Sequence, residues 1–255
     1  MQKLKTMICL LLLCGSVCSF SQVCYGADAM PAPAHEVVST HFATFHTMLL
    51  DKITAPMERW LQTDYLAQMK QACLDGDMGA GYAAEEARNQ KIDLLGLDDK
   101  PISFDELLEL SKVITNEIGS VWYPIEWKMM VGEVVLNRVA SPEYPDTIYD
   151  VIHQKGQYQN ANTDYFSTMT PLSACVDAAA RLLSGERIIN DIRVVAQSGK
   201  ARGIGTYAIL KDTRSGAKVY LCYTNFPELY EDFEVNHGDC NDTKIYIYSP
   251  DNHDR

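Results

Sequence analysis

Positive charge is scarce in this chain. Its 255 residues carry 22 Lys and Arg against 34 Asp and Glu, a formal net charge of −12 at pH 7. So acidic a surface offers no electrostatic footprint for a phosphate backbone, which excludes nucleic acid as a partner held that way. Anionic wall polymers such as teichoic acids are repelled for the same reason, and a neutral or cationic glycan fits better. Histidine is scarce too. The six His residues form no ligand cluster, and His41 and His46 are out of register for a metal pair on one helix face, so no metal or other cofactor is expected. The apolar run at residues 7–17 is too short to span a bilayer as an ordinary helix. The chain has no Gly-rich phosphate loop, no G-x-S-x-G elbow and no H-E-x-x-H, which removes the chemistries those motifs serve.

At the start, Lys3 and Lys5 precede that apolar run, and small and polar residues follow it. This order predicts a secretory signal peptide over residues 1–26, cleaved near Gly26 or Ala27, and hence a secreted, extracytoplasmic protein. Its removal leaves 20 basic against 34 acidic residues, a net −14, and four cysteines: Cys73, Cys175, Cys222 and Cys240. Export permits disulfides. Cys222 and Cys240 are close enough in sequence to pair, but four cysteines allow three full pairings and four free thiols also remain possible.

Residues 27–97 read as a helical arm and linker. A Pro- and Ala-rich leader is followed by helical periods over 36–54, 56–74 and 83–95, with Asp75-Gly76-Asp77 and Gly96 as breaks. The arm is a candidate surface for a protein partner or self-association. The main domain is expected over 98–250. Ser103 and Glu106 form a capping-box pattern, and Phe104, Leu107, Leu108, Val113 and Ile114 form a buried stripe on a helix that ends near Glu117. Pro124 opens a nearly apolar, central helix over 125–140, in which Gly132 predicts a close helix crossing. Glu133 in that helix either faces a cleft or pairs with Arg138 or Lys128. A short helix is expected at 147–153. Thr170 should cap a helix over 171–183, and residues 160–169 show no period. Strands follow at 193–197, 205–210, 218–224 and 244–248. The fold class is therefore α+β, mainly helical, with a small antiparallel sheet.

The remaining equipment is carboxylates near aromatics and amides, which suits glycosidic bonds, since their cleavage needs an acid on the leaving oxygen. Glu117 stands near a helix C-terminus, where the dipole favours its protonated form. Spacing alone does not single it out.

Residues 107–225 resemble the SleB/CwlJ-type cell wall hydrolase family, known from spore cortex-lytic enzymes. The resemblance rests on Val113-Ile114-Thr115-Asn116-Glu117, the run Val134-Val135-Leu136-Asn137-Arg138-Val139, the turn Ser141-Pro142 with Tyr144-Pro145-Asp146-Thr147-Ile148, Val151-Ile152, Gly156-Gln157-Tyr158, and the helix through Ala178 to Gly185. It implies a fold similar to the lysozyme-like lytic transglycosylases and activity on peptidoglycan glycan strands in the cell wall. It further implies that Glu117 is the catalytic acid and base, in a pocket lined by Ile118 and Trp122. Gln157 and Tyr158 are then expected to bind sugar, Glu126 to hold sugar or orient Glu117, and Tyr223 (with Tyr220) to border the groove, while Asn137 and Arg138 brace a loop. The chain departs from the family after the glutamate. Ile118-Gly119-Ser120-Val121-Trp122-Tyr123 replaces the usual alanine-arginine-glycine-glutamate. Two alternatives stand beside the transglycosylase: a hydrolytic muramidase using Glu126 or Asp146 for water, and a non-catalytic wall-binding or assembly protein.

Overall fold

The computed structural model describes residues 52, 54–231 and 243–249. The expected signal peptide, most of the helix expected over 36–54, and Cys240 lie outside them. The chain divides into two compact units, one holding residues up to 65 together with 86–99, the other holding 66–85 and everything from 100.

In the first unit, residues 54–62 are helical. The helix ends at Thr63, whose N–H and hydroxyl both donate to the Arg59 carbonyl, at 2.9 and 2.7 Å. The single helix expected over 56–74 is therefore two. Lys91 Nζ donates to the carbonyls of Leu61 and Thr63 at 2.7 and 3.0 Å, as a cation does at a helix C-terminus.

The helices are α1 (Tyr65–Asp75), α2 (Met78–Leu95), α3 (Phe104–Ile118), α4 (Ile125–Ala140), α5 (Ile148–His153), α6 (Asp164–Thr168) and α7 (Ser173–Leu183). The strands are β1 (Val194–Ser198), β2 (Thr206–Asp212), β3 (Lys218–Tyr223) and β4 (Lys244–Tyr248). Helix α2 begins earlier than its apolar pattern suggests, because the Asp77 carboxylate accepts the Ala80 N–H at 2.9 Å. Gly81 is demanded by packing: a Cβ there would lie 2.2 Å from Cζ of Phe104. The arm expected over 27–97 does not stand apart as a whole, since Met69, Ala72, Cys73 and Ala84 lie in one core with Phe104 and Leu107.

The capping box at Ser103 does not form. The Ser103 hydroxyl makes no cap bond, and the carboxylate of Glu85 takes the Phe104 N–H instead, at 2.9 Å. Likewise Thr170 does not cap α7. The helix starts at Ser173, and the Leu172 N–H donates to Oγ1 of Thr115 on α3 at 3.1 Å. Thr147 does cap α5, accepting the Asp150 N–H at 3.0 Å. Helix α6 was not foreseen. Its single turn is set by Thr163, which accepts the Phe166 N–H and lets Phe166 enter the core.

Helix α4 packs against both α3 and α7. A Cβ on Gly132 would lie 2.6 Å from Cδ1 of Leu182 and 2.7 Å from Cδ1 of Ile114, so this is the crossing its glycine predicted. The sheet runs in the order β1-β3-β2-β4. It is mixed rather than antiparallel: β1/β3 and β3/β2 are antiparallel, but β4 pairs parallel with β2. Strand β4 lies on the far edge of β2 from β3. Cys73, Cys175 and Cys222 are buried free thiols, and burial pushes Cys73 up to about 12.

Filling the Gly132 contact with Val should cost roughly 1–3 kcal/mol of stability, because Leu182 and Ile114 have no room to retreat. Urea unfolding of Gly132→Val checks this; an unchanged midpoint means the helices are not in contact there.

Candidate active site

Four polar side chains of α4 are buried, and each reaches for main chain. Lys128 Nζ donates to the carbonyls of Ser120 and Tyr123 at 2.8 and 2.7 Å, which fixes the turn between α3 and α4. Burial lowers its pKa. Glu133 is 1% exposed. It neither faces a cleft nor pairs with Arg138 or Lys128. Its carboxylate accepts three backbone N–H groups instead, from Ile188 (2.8 Å), Ile189 (3.0 Å) and Asn190 (3.0 Å). Asn190 takes a positive φ of 52° to complete this cradle. Asn137 Nδ2 donates to the carbonyls of Asp191 and Val194, both at 3.0 Å, and Arg138 Nε donates to that of Val195 at 2.6 Å. These last two brace the loop leading into β1.

Glu117 occupies the last turn of α3, facing β1. Gln197 Nε2 on β1 donates to Oε2 at 3.2 Å, and Asn116 Nδ2 donates to Oε1 at 2.9 Å. Asn160 Nδ2, from the loop after α5, in turn donates to the Asn116 oxygen at 3.0 Å. Solvent can touch the Glu117 side chain, yet protein crowds its carboxylate on several sides. The result is a raised pKa: burial dominates, and the two amides and the positive charge of Arg138 pull weakly the other way. No other carboxylate stands among the described groups that shift it.

Beside this acid lies a buried cationic sandwich. The Arg138 guanidinium sits 5.1 Å from the ring centroids of both Tyr144 and Tyr158. Among the described residues, Arg138 Nη1, the Tyr158 hydroxyl and Gln197 Oε1 are buried without a hydrogen-bond partner. Burial pushes the Tyr158 hydroxyl up to about 12.

The other expected site residues scatter around this centre. Tyr158 is 4% exposed, with Arg138 across one face, so its ring packs in the core rather than lying open to a sugar. Gln157 beside it is exposed. Glu126 is exposed in the first turn of α4, where its charge is felt by Arg181 of α7, and no hydrogen bond joins it to Glu117. Tyr223 on β3 meets Tyr207 edge-on at 6.0 Å, near Asp191 and Arg193. Trp122 is 59% exposed and lines a cavity of about 200 Å³ with Tyr123, Asp212, Arg214, Ser215 and Tyr248. Gln197 and Asn160 were not anticipated, because a partner 80 residues from Glu117 leaves no local pattern.

Residues 123–194 match the cell wall hydrolase family. That stretch begins in the turn before α4 and ends at the first residue of β1, so it includes Glu133, Asn137, Arg138 and Tyr158. It covers under a third of the chain, and Glu117 lies just upstream of it. The family supports a peptidoglycan-cleaving role. No curated protein and no solved structure matches the chain. No helix among the described residues is long and apolar enough to cross a membrane, and no group of His, Cys, Asp and Glu among them is arranged to hold a metal ion.

Glu133→Gln should lower stability by roughly 2–3 kcal/mol. One side-chain amide would then point its own N–H groups at a backbone donor, leaving a charge-assisted set broken. Thermal or urea unfolding reads this loss; a shift below experimental error means the three bonds contribute nothing net.

Proposed function

We propose that the chain is a peptidoglycan lytic transglycosylase of the SleB/CwlJ type, acting on the N-acetylmuramoyl–N-acetylglucosamine bond with Glu117 as general acid and then base. The observation that carries this reading is Glu117 itself: a lone carboxyl group, reachable from solvent, with a raised pKa and amides fixing both oxygens. The adjoining match to cell wall hydrolases supplies the substrate class.

In the first step the Glu117 carboxylic acid gives its proton to the glycosidic oxygen as that oxygen leaves the muramoyl anomeric carbon. The proton ends on the freed glucosaminyl hydroxyl. In the second step the Glu117 carboxylate takes the proton of the muramoyl 6-hydroxyl, whose oxygen bonds to the anomeric carbon and closes a 1,6-anhydro ring. Glu117 is protonated again, and no water is consumed. The longer bond, at 3.2 Å from Gln197, marks Oε2 as the oxygen freer to carry the proton. A muramidase instead needs a group to direct water, and an inverting one a second carboxylate. Among the described groups that act on Glu117, Arg138 and two amides are present and no acid is. This favours the single-carboxylate route. A raised pKa keeps the acid form present above the usual carboxylate range, which the first step requires.

A digest of purified peptidoglycan, read by mass spectrometry, should give anhydro-muramoyl ends. Glu117→Gln should cut their release by at least about 100-fold, the scale of a positioned general acid. Reducing muramoyl ends would assign the hydrolytic muramidase instead, and an undiminished variant would assign a non-catalytic wall-binding role. The pH dependence has a definite sign. Because the folded pKa of Glu117 is raised, the stability linked to its proton is full below its unfolded value and is lost as pH rises through the folded value. Glu117→Gln should therefore gain on wild type in melting temperature as pH rises above the ordinary glutamate range. A melting difference that stays flat as pH rises contradicts the raised pKa.

A further inference from the structure

The cavity beside the turn after α3 joins Ser120, Trp122 and Tyr123 of that turn to residues of the β2–β3 turn and to Tyr248 of β4. Trp122 presents an indole that is 59% exposed, and the Arg214 guanidinium lies 5.8 Å from its ring centroid. Tyr123 and Tyr248 meet edge-on at 5.7 Å and close another side. The carboxylate nearest in sequence to Arg214 is Asp212, but its acceptors are taken. Tyr123 Oη donates to Oδ2 at 3.1 Å, Ser215 Oγ to the same oxygen at 2.6 Å, and the backbone N–H of Arg214 to Oδ1 at 2.9 Å. Asp212 thus shapes the β2–β3 turn and leaves the guanidinium to the indole. Among the described residues Arg214 forms no ion pair, although acids outnumber bases 34 to 22 in the chain.

Such a cavity suits a ligand with a flat apolar face and an anionic group. A chain of N-acetylglucosamine alone has the face but no charge, and a muramoyl residue stripped of its peptide keeps only the single carboxylate of its lactyl ether. A muramoyl residue carrying its stem peptide has both, because the peptide bears carboxylates. Long polyanions also carry charge, but the net charge of −12 opposes them. Ser120, which lines the cavity, follows Glu117 by three residues, which separates their Cα atoms by at most about 11 Å, a distance shorter than a glycan strand. We propose that this cavity is a subsite for peptide-substituted strands, with Trp122 stacking on the ligand and Arg214 pairing with a stem-peptide carboxylate. The inference rests on the peptidoglycan-cleaving reading above and deepens it. The guanidinium, already aligned on an aromatic face, is preorganised for a planar carboxylate.

The test compares intact peptidoglycan with the same glycan stripped of its peptides by an amidase and then treated to convert the freed lactyl carboxylates to amides. Wild type should have a KM at least about tenfold lower for the intact strand. Arg214→Gln should bring the ratio of the two KM values close to one with little change in kcat. Trp122→Ala should raise both KM values. Equal KM values for wild type, or a ratio untouched by Arg214→Gln, overturns the proposal while leaving the cleavage reading intact. Failure of wild type to cut either substrate overturns the cleavage reading. The subsite is then decided by titrating the full chain with a soluble disaccharide tetrapeptide and following tryptophan fluorescence against Trp122→Phe. Quenching by that ligand and not by the peptide-free disaccharide with its lactyl carboxylate amidated supports the subsite; no quenching, or equal quenching by both, sinks it. Both variants change exposed side chains, and an unaltered melting temperature shows that neither result comes from unfolding.

Discussion

Three main-chain N–H groups converge on the carboxylate of Glu133, and the rest of the site depends on that convergence. A buried charge without partners is too costly to keep, so the loop at residues 188–190 must come to it. The loop then delivers the chain to β1 at a fixed height above α4. Asn137 and Arg138, one turn further along the same helix, hold the next segment of that loop by its carbonyls. At the other end of α4, Lys128 holds the turn that follows Glu117. One helix therefore grips both the turn after Glu117 and the segment leading into β1, by anion to N–H on one part and by cation or amide to carbonyl on the others. Side chains bonded to main chain tolerate sequence change in the segments they grip. The α3–α4 turn differs from the family pattern, yet its carbonyls still serve Lys128.

Much of this architecture was legible beforehand. The apolar periods place α3, α4 and all four strands within a residue or two, and Gly132 announces the helix crossing that occurs at Leu182 and Ile114. The motif containing Glu117 places it at the end of α3. What escaped has a common physical character. The partners of Glu133 lie 55 to 57 residues away and are backbone groups, which carry no side-chain signature. Gln197 looks like any half-buried strand residue until β1 is docked opposite α3. The helix caps expected from Ser103 and Thr170 gave way to Glu85 and Thr115, because a nearby tertiary acceptor can replace a local one. Strand direction was equally hidden: the period of β4 is the same whether it runs with β2 or against it, and only the route of the intervening chain decides.

Electrostatics divide the molecule's labour. The surface is acidic, but the interior beside Glu117 holds a cation, Arg138, clasped by two phenol rings. Its positive charge opposes the rise that burial imposes on the Glu117 carboxyl. That carboxyl group is thus tuned in part by a charge that is itself out of reach of water.

The three cysteines among the described residues have a consequence for the chain's redox chemistry. All are buried and unpaired, and at Cys73 burial alone holds the thiol form to about pH 12. Only the thiolate attacks disulfides and peroxides at useful rates. Sulfur at Cys73 is therefore chemically silent in the folded protein, and its oxidation state becomes a record of whether the chain has unfolded rather than of the redox potential around it.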